Sequence, residues 1–312
     1  MLNNAMLQAG DEIDHYALLR EVDRAPLATI FVALDKTSGA QVMIRVPDPG
    51  AETDPSFAAR LKREEEIYRH LDHPGLIQVI PDDGRTRLYL VTTWFDGQPL
   101  RRLLEQGKLP PARAIALALR IGDALGYLHD HGIVVRDLSP DHILVNDRDE
   151  IKLTEFEAAG KSRAAQRLTF ANLSQLVRAT AYTAPEELAG ERGDARADVF
   201  ALGVILYEML TGRIPWDAAP LQERRARKPI PPRSLEPGLS PALETVLLRA
   251  LKPEVRERYA GIAEFVHDLT HLDQVGAPAG HGRQKLNRVA LYIGALVIPL
   301  VLFGLIMLFL LR

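Results

Sequence analysis

Between Tyr16 and Val46 apolar and polar positions alternate with a period of two, in YALLREV, in ATIFVALD and, past the turn residues KTSG, in AQVMIRV. Alternation rich in β-branched residues predicts three successive strands and hence an antiparallel meander. In the third, Val42, Ile44 and Val46 alternate with Gln41, Met43 and Arg45, which puts Met43 and Arg45 on one face. From Asp54 to Leu71 the period becomes helical, with Phe57, Leu61, Tyr68 and Leu71 on one stripe and Glu64 among them. A carboxylate on a packed stripe calls for a cationic partner; at the margin of the stripe it would simply face water. LIQVI and RLYLVTTW, parted by the turn residues PDDG, add two strands. Five strands and one helix make a small lobe over residues 12–95.

The connector FDGQPL opens a second, mainly helical region over 96–272. PARAIALALRIGDALGYLHDHG reads as a long helix from a leading proline to Gly132, with Ile115, Leu119, Gly122 and Leu125 along one face. VRDLSPDHILV and IKLTEFEAA each carry a short strand. Residues 160–180 lack periodicity and read as a flexible loop with Ser162, Thr169 and Ser174 as available hydroxyls. DVFALGVILYEMLTG is apolar nearly all round and stops at Gly212, the pattern of a helix buried on every side. Further helices are predicted at 240–251 and 258–272.

Residues 1–11 form a tail without the basic run and apolar core of a cleaved signal. Glycine, proline and polar residues make 273–288 a linker, with a reach of about 20–25 Å as a flexible coil. Val289 to Leu311 contains no charged residue and at about 1.5 Å per residue is long enough to cross a bilayer. Arg283, Lys285 and Arg288 precede this span and Arg312 follows it, so the positive-inside rule places the amino-terminal domain in the cytoplasm on a carboxyl-terminal membrane anchor.

The 312 residues are 47% apolar, enough for a substantial core, and the net charge of −3 gives no reason to expect nucleic acid as a partner. The absence of cysteine excludes disulfides, thiolate metal sites and cysteine nucleophiles. Arg224, Arg225, Arg227, Lys228 and Arg233 form a basic run. A solvated face is the expectation there, with contact to anionic lipid as the alternative. The pairs His70 and His73, and His129 and His131, lack a recognisable third ligand and are expected as capping or surface residues.

Several motifs then fall in order: His73-Pro74; Arg136-Asp137-Leu138 followed by the strand Ile143-Leu144-Val145; Ala184-Pro185-Glu186; Asp198 with Gly203; and Arg258 in RYAGIAEF. Over about residues 12–272 this series resembles the bacterial-type (Hanks-type) serine/threonine protein kinase family. The resemblance implies an α+β, bilobal fold, with a small five-stranded antiparallel lobe carrying one helix and a large helical lobe. It implies that Asp137 stands where the family has its proton acceptor, with Arg136 beside it. Met43, Arg45, Glu64, Ser139 and Leu144 take nucleotide-site positions, and His142 and Glu155 take those of the magnesium ligands. Glu186, Asp198 and Arg258 take structural positions, Glu186 pairing with Arg258. Signalling proteins would be the partners.

The chemistry at these positions departs from the family pattern. Asp23, Ala25 and Ala28 replace three loop glycines, Arg45 the strand lysine, and Met43 a small residue over the adenine ring. Glu155-Phe156-Glu157 stands for D-F-G, His142 for asparagine, Ser139 for lysine and Ala179 for threonine. Phosphoryl transfer depends on groups that hold phosphate and metal. The expectation is therefore a membrane-anchored pseudokinase, a scaffold or allosteric partner with no cofactor, in which Asp137 and Arg136 are structural. The alternatives are a slow serine/threonine kinase using ATP and magnesium through Asp137, Glu155 and Arg45, and a nucleotide sensor independent of metal.

Overall fold

The computed structural model describes residues 6–25, 27–52, 54–154, 181–216 and 228–276. In chain order the elements are β1 (Glu12–Ile13), β2 (Tyr16–Ala25), β3 (Ala28–Asp35), β4 (Gln41–Pro47), α1 (Pro49–Glu52), α2 (Pro55–Tyr68), β5 (Leu90–Thr93), β6 (Gln98–Pro99), α3 (Leu100–Glu105) and α4 (Pro111–Asp130). A 3-10 turn (Pro140–His142) then leads into β7 (Ile143–Val145) and β8 (Ile151–Leu153). The helices α5 (Pro185–Leu188), α6 (Ala195–Thr211), α7 (Pro232–Leu235), α8 (Pro241–Ala250) and α9 (Ile262–Thr270) follow.

The first five strands form one antiparallel sheet in sequence order, and β6–β7–β8 a second, smaller one. The register Val32–Met43–Thr92 and Ile30–Arg45–Leu90 puts Met43 and Arg45 on a common face, as their alternation requires. The opposite face carries its own core of Tyr16, Leu18, Phe31, Ile44 and Val91. Helix α2 starts where Asp54 accepts the Ser56 amide at 2.8 Å, and it packs Phe57 and Leu61 with Leu90.

The fifth strand is not the expected one. The segment 76–80 divides its amides between two partners, Ile77 N–H to Leu153 at 3.1 Å and Ile80 N–H to Val91 at 2.9 Å, and forms only single bridges. A run that links two sheets cannot ladder with either. The short β1 completes the sheet instead, Ile13 opposite Tyr16.

Helix α6 is the axis of the large lobe: Val199, Leu202, Val204, Ile205, Leu206 and Tyr207 are fully buried, as its all-round apolar sequence demands. It ends at Gly212, whose φ of +70° suits a residue without a Cβ. Helix α4 buries Ala114, Leu117, Ala118, Ile121 and Leu125, a stripe rotated from the predicted one, which leaves Ile115 and Leu119 half-buried. Small residues win that face because α9 comes close, and a Cβ on Gly122 would lie 2.5 Å from Val266. The last helix begins at Ile262 rather than 258, since Arg258 is extended and turned into the core.

Among the described residues no helix is long and apolar enough to cross a membrane. The predicted span at 289–311, the linker before it from residue 277 on, Glu155, the hydroxyls of 160–180, Ala179, Arg224, Arg225 and Arg227 lie outside the described residues.

Candidate functional site

A single carboxylate shapes the loop that carries Asp137. Asp198 is fully buried on α6, where a lone charge would be costly. It accepts the Val135 amide at 2.9 Å, the Arg136 amide at 2.7 Å and His129 Nε2 at 2.7 Å. These bonds hold Arg136 at a φ of +61°, a left-handed conformation that costs a side-chain-bearing residue about 1–2 kcal/mol. His129 is therefore a buried partner of Asp198 and not a surface histidine. Its signal in the sequence was its place in the last turn of α4, facing inward with Leu125 and Leu128. His73 is likewise mostly buried, its Nδ1 accepting the Gly75 amide at 3.0 Å and Nε2 lying 3.2 Å from Asp123, whereas His70 is exposed.

The Arg136 guanidinium turns to the Gly193 carbonyl at 2.8 Å, and burial together with neighbouring Arg192 lowers its pKa. Three residues further along, Ser139 is buried. His142 Nδ1 lies 2.8 Å from the Asp137 carbonyl and 3.4 Å from Ser139 Oγ. A carbonyl only accepts, so Nδ1 carries the proton and the imidazole braces the loop's own backbone. The His142 carbonyl in turn accepts the Thr154 amide at 2.9 Å, joining the loop to the end of β8.

Across the cleft, Arg45 forms an ion pair with Glu64, both side chains buried, so the carboxylate on the α2 stripe has its cation. Met43 and Leu144 are half-buried. The β2–β3 hairpin pairs up to Ala25 opposite Ala28. The pairing is interrupted twice, between Leu18 and Arg20 and between Glu21 and Asp23. Of the basic run, Arg233 Nε donates to the Leu239 carbonyl at 3.0 Å and serves the loop before α8.

Two features escaped the sequence reading. Glu187, next to Glu186, is buried, and its pKa is pushed up to about 8 by burial and by the charges of Asp198 and Glu186. Arg101 reaches Glu208 at 3.1 Å, the Tyr182 hydroxyl at 2.7 Å and Asp141 at 3.4 Å, and the Tyr182 hydroxyl donates to the second oxygen of Glu208. Burial and Glu208 keep that phenol protonated. Residue types alone carried no sign of either cluster.

Glu186 and Arg258 form the expected pair, two-pronged and buried. Residues 20–268 match the protein kinase domain family. Serine/threonine-protein kinase Pkn1 of Myxococcus xanthus is 32% identical, over 80% of this chain and 37% of its own length. Serine/threonine-protein kinase PknB of Mycolicibacterium smegmatis is 30% identical, over 85% of this chain and 44% of its own. The chain thus spans less than half the length of the curated relatives it matches. The kinase domain of Mycobacterium tuberculosis PknI has the same fold, with a TM-score of 0.66 at 23% identity, covering 86% of this chain and 100% of that one. With its Asp198-held loop and its Glu186–Arg258 pair, the chain belongs to the protein kinase family, among the bacterial serine/threonine kinases.

Proposed function

We propose that the chain is a pseudokinase, anchored in the membrane through 289–311, that works as a scaffold or allosteric partner for other signalling proteins. The observation that carries this reading is the β2–β3 hairpin. Its strands stay paired to Ala25 and Ala28, no glycine lies within it, and Pro26 has no N–H to offer an anion. The other phosphate and metal positions agree with it. Arg45 keeps with Glu64 an ion pair that active kinases also form, so the departure there is its planar fork in place of a compact ammonium. Magnesium takes oxygen ligands in near-octahedral geometry, and the imidazole of His142 supplies none. These replacements argue against a bound magnesium nucleotide.

The test is thermal unfolding of the purified chain with ATP, with and without magnesium. A ligand at a hundred times its Kd stabilises the native state by about 2.7 kcal/mol, several degrees in Tm. The pseudokinase reading expects no magnesium-dependent shift, and a clear one would sink it. A shift that EDTA leaves unchanged would point to nucleotide sensing without metal. The membrane anchor is tested apart from this: deletion of 289–311 is expected to move the protein from the membrane to the soluble fraction.

A slow serine/threonine kinase is the second reading, favoured by the hydrogen bonds that keep the Asp137 loop in shape. It requires phosphate incorporation that disappears in Asp137→Asn. Incorporation that persists in that variant, or is absent from the unaltered chain, rules it out.

A further inference from the structure

In His70, His73 and His129 the Nε2 atom faces a carboxylate, of Glu66, Asp123 and Asp198 respectively. Two histidines at the end of α9 are placed differently. His267 and His271, four positions apart, fall on one face of the last turn. Their rings are stacked, with centroids 4.5 Å apart and planes 23° from parallel. The His267 side chain is 61% exposed and His271 is half-buried.

Their neighbours decide which ring nitrogens can serve a ligand. Nδ1 of His271 lies 2.9 Å from the His267 carbonyl, which only accepts, so that nitrogen carries the proton and Nε2 keeps its lone pair. Nδ1 of His267 lies 3.5 Å from Asp268 Oδ1, and the carboxylate favours the proton on that side of the second ring as well. Metal-binding histidines have this arrangement: one nitrogen gives its proton to a carbonyl or carboxylate, and the other meets the ion. The His267 carbonyl also accepts the His271 amide at 3.0 Å, and His271 is the first residue past the helix.

We infer that His267 and His271 bind a zinc ion, Nε2 of each ring supplying one ligand and water the rest. Pairs of histidines four apart on a helix face are a known zinc-binding arrangement. Zinc–imidazole bonds are about 2.0–2.1 Å, so the two nitrogens must come within about 4 Å of each other, which neighbouring stacked rings reach by rotating their side chains. Imidazole selects such a transition-metal ion over magnesium or calcium, which take oxygen. Among the described residues no cluster of three or more ligands is present, so the site keeps open positions. An ion there clamps the last turn of α9 to the point where the chain leaves it. The inference goes beyond the pseudokinase reading and does not depend on it, because neither histidine belongs to the nucleotide or metal positions of the cleft.

The test is calorimetric titration of zinc into the full chain in detergent, with amide hydrogen exchange followed alongside. Linking two ligands raises affinity by about a hundredfold or more. His267→Gln and His271→Gln should therefore each weaken this binding step by about tenfold or more, and the double variant should be hardly worse than either single one. His70→Gln, a change at an exposed histidine elsewhere, should leave it unaltered. Zinc should slow exchange over residues 270–274 in the unaltered chain and not in the double variant. Equal zinc binding by the unaltered chain and the double variant, losses that simply add between the single variants, or exchange over 270–274 that zinc does not move would each overturn the proposal.

Discussion

Arg258 grips Glu186 with two parallel hydrogen bonds, Nη1 to Oε1 at 2.8 Å and Nη2 to Oε2 at 2.6 Å, and its side chain is wholly buried. It also meets the carbonyls of Lys252, Pro253 and Arg196 and the ring of Phe200. Removing one partner of such a pair leaves a buried charge uncompensated. Arg258→Met is expected to cost about 3–5 kcal/mol in urea unfolding. Adding Glu186→Leu should recover most of that loss, because the remaining charge is gone. Additive losses in the double variant would refute the pairing energetics.

The carboxylate of Asp198 should matter for shape more than for gross stability. Hydrogen bonds to a charged acceptor contribute about 1.5–3 kcal/mol each, and the amide of Asp198→Asn has only one accepting oxygen. We expect a loss of about 2–3 kcal/mol. Amide hydrogen exchange at Val135 and Arg136 should accelerate far more than in the helices. Unchanged exchange there would mean that the strained φ of Arg136 is held by something else.

Glu187 gives the stability a pH dependence of known sign. Its folded pKa of about 8 lies above the ordinary 4.5, so between these values the folded chain keeps a proton that the unfolded chain gives up. Stability from this group is full below about pH 4.5, falls as pH rises toward 8 at up to about 1.4 kcal/mol per unit, and is flat beyond. Glu187→Gln should raise Tm at pH 8 and leave it nearly unchanged at pH 4.5. Parallel pH profiles for the two proteins would exclude the buried protonated acid.

Close approach of α4 and α9 can be tested by adding one methyl group. A Cβ on Gly122 would sit 2.5 Å from Val266, so Gly122→Ala should destabilise by about 1–3 kcal/mol through overpacking. Val266→Ala in the same chain makes room, and the double variant should be less destabilised than the sum of the singles. Thermal unfolding of all four proteins reads the coupling directly.

Local pattern was enough for much of this architecture. A period of two placed Met43 and Arg45 on one face before any pairing was known, because successive side chains in a strand must point to opposite sides. The unbroken apolar run of α6 and its stop at Gly212 fixed a buried helix, since nothing in it can face water. The motif spacing likewise marked Glu186, Asp198 and Arg258 as parts of one frame.

Contacts between distant segments were beyond the sequence. Whether Glu64 met a cation or water depended on α2 packing over β4, a contact across 19 positions. Segment 76–80 reads as a strand by composition, and only its place between two sheets denied it a ladder. Arg101, Tyr182 and Glu208, separated by up to 107 positions, carry no shared signature, and neither does the pressure of Asp198 on Glu187. Periodicity is a property of neighbouring residues. Charge pairing and burial of an acid depend on where the chain returns to itself, and these the tertiary structure decided.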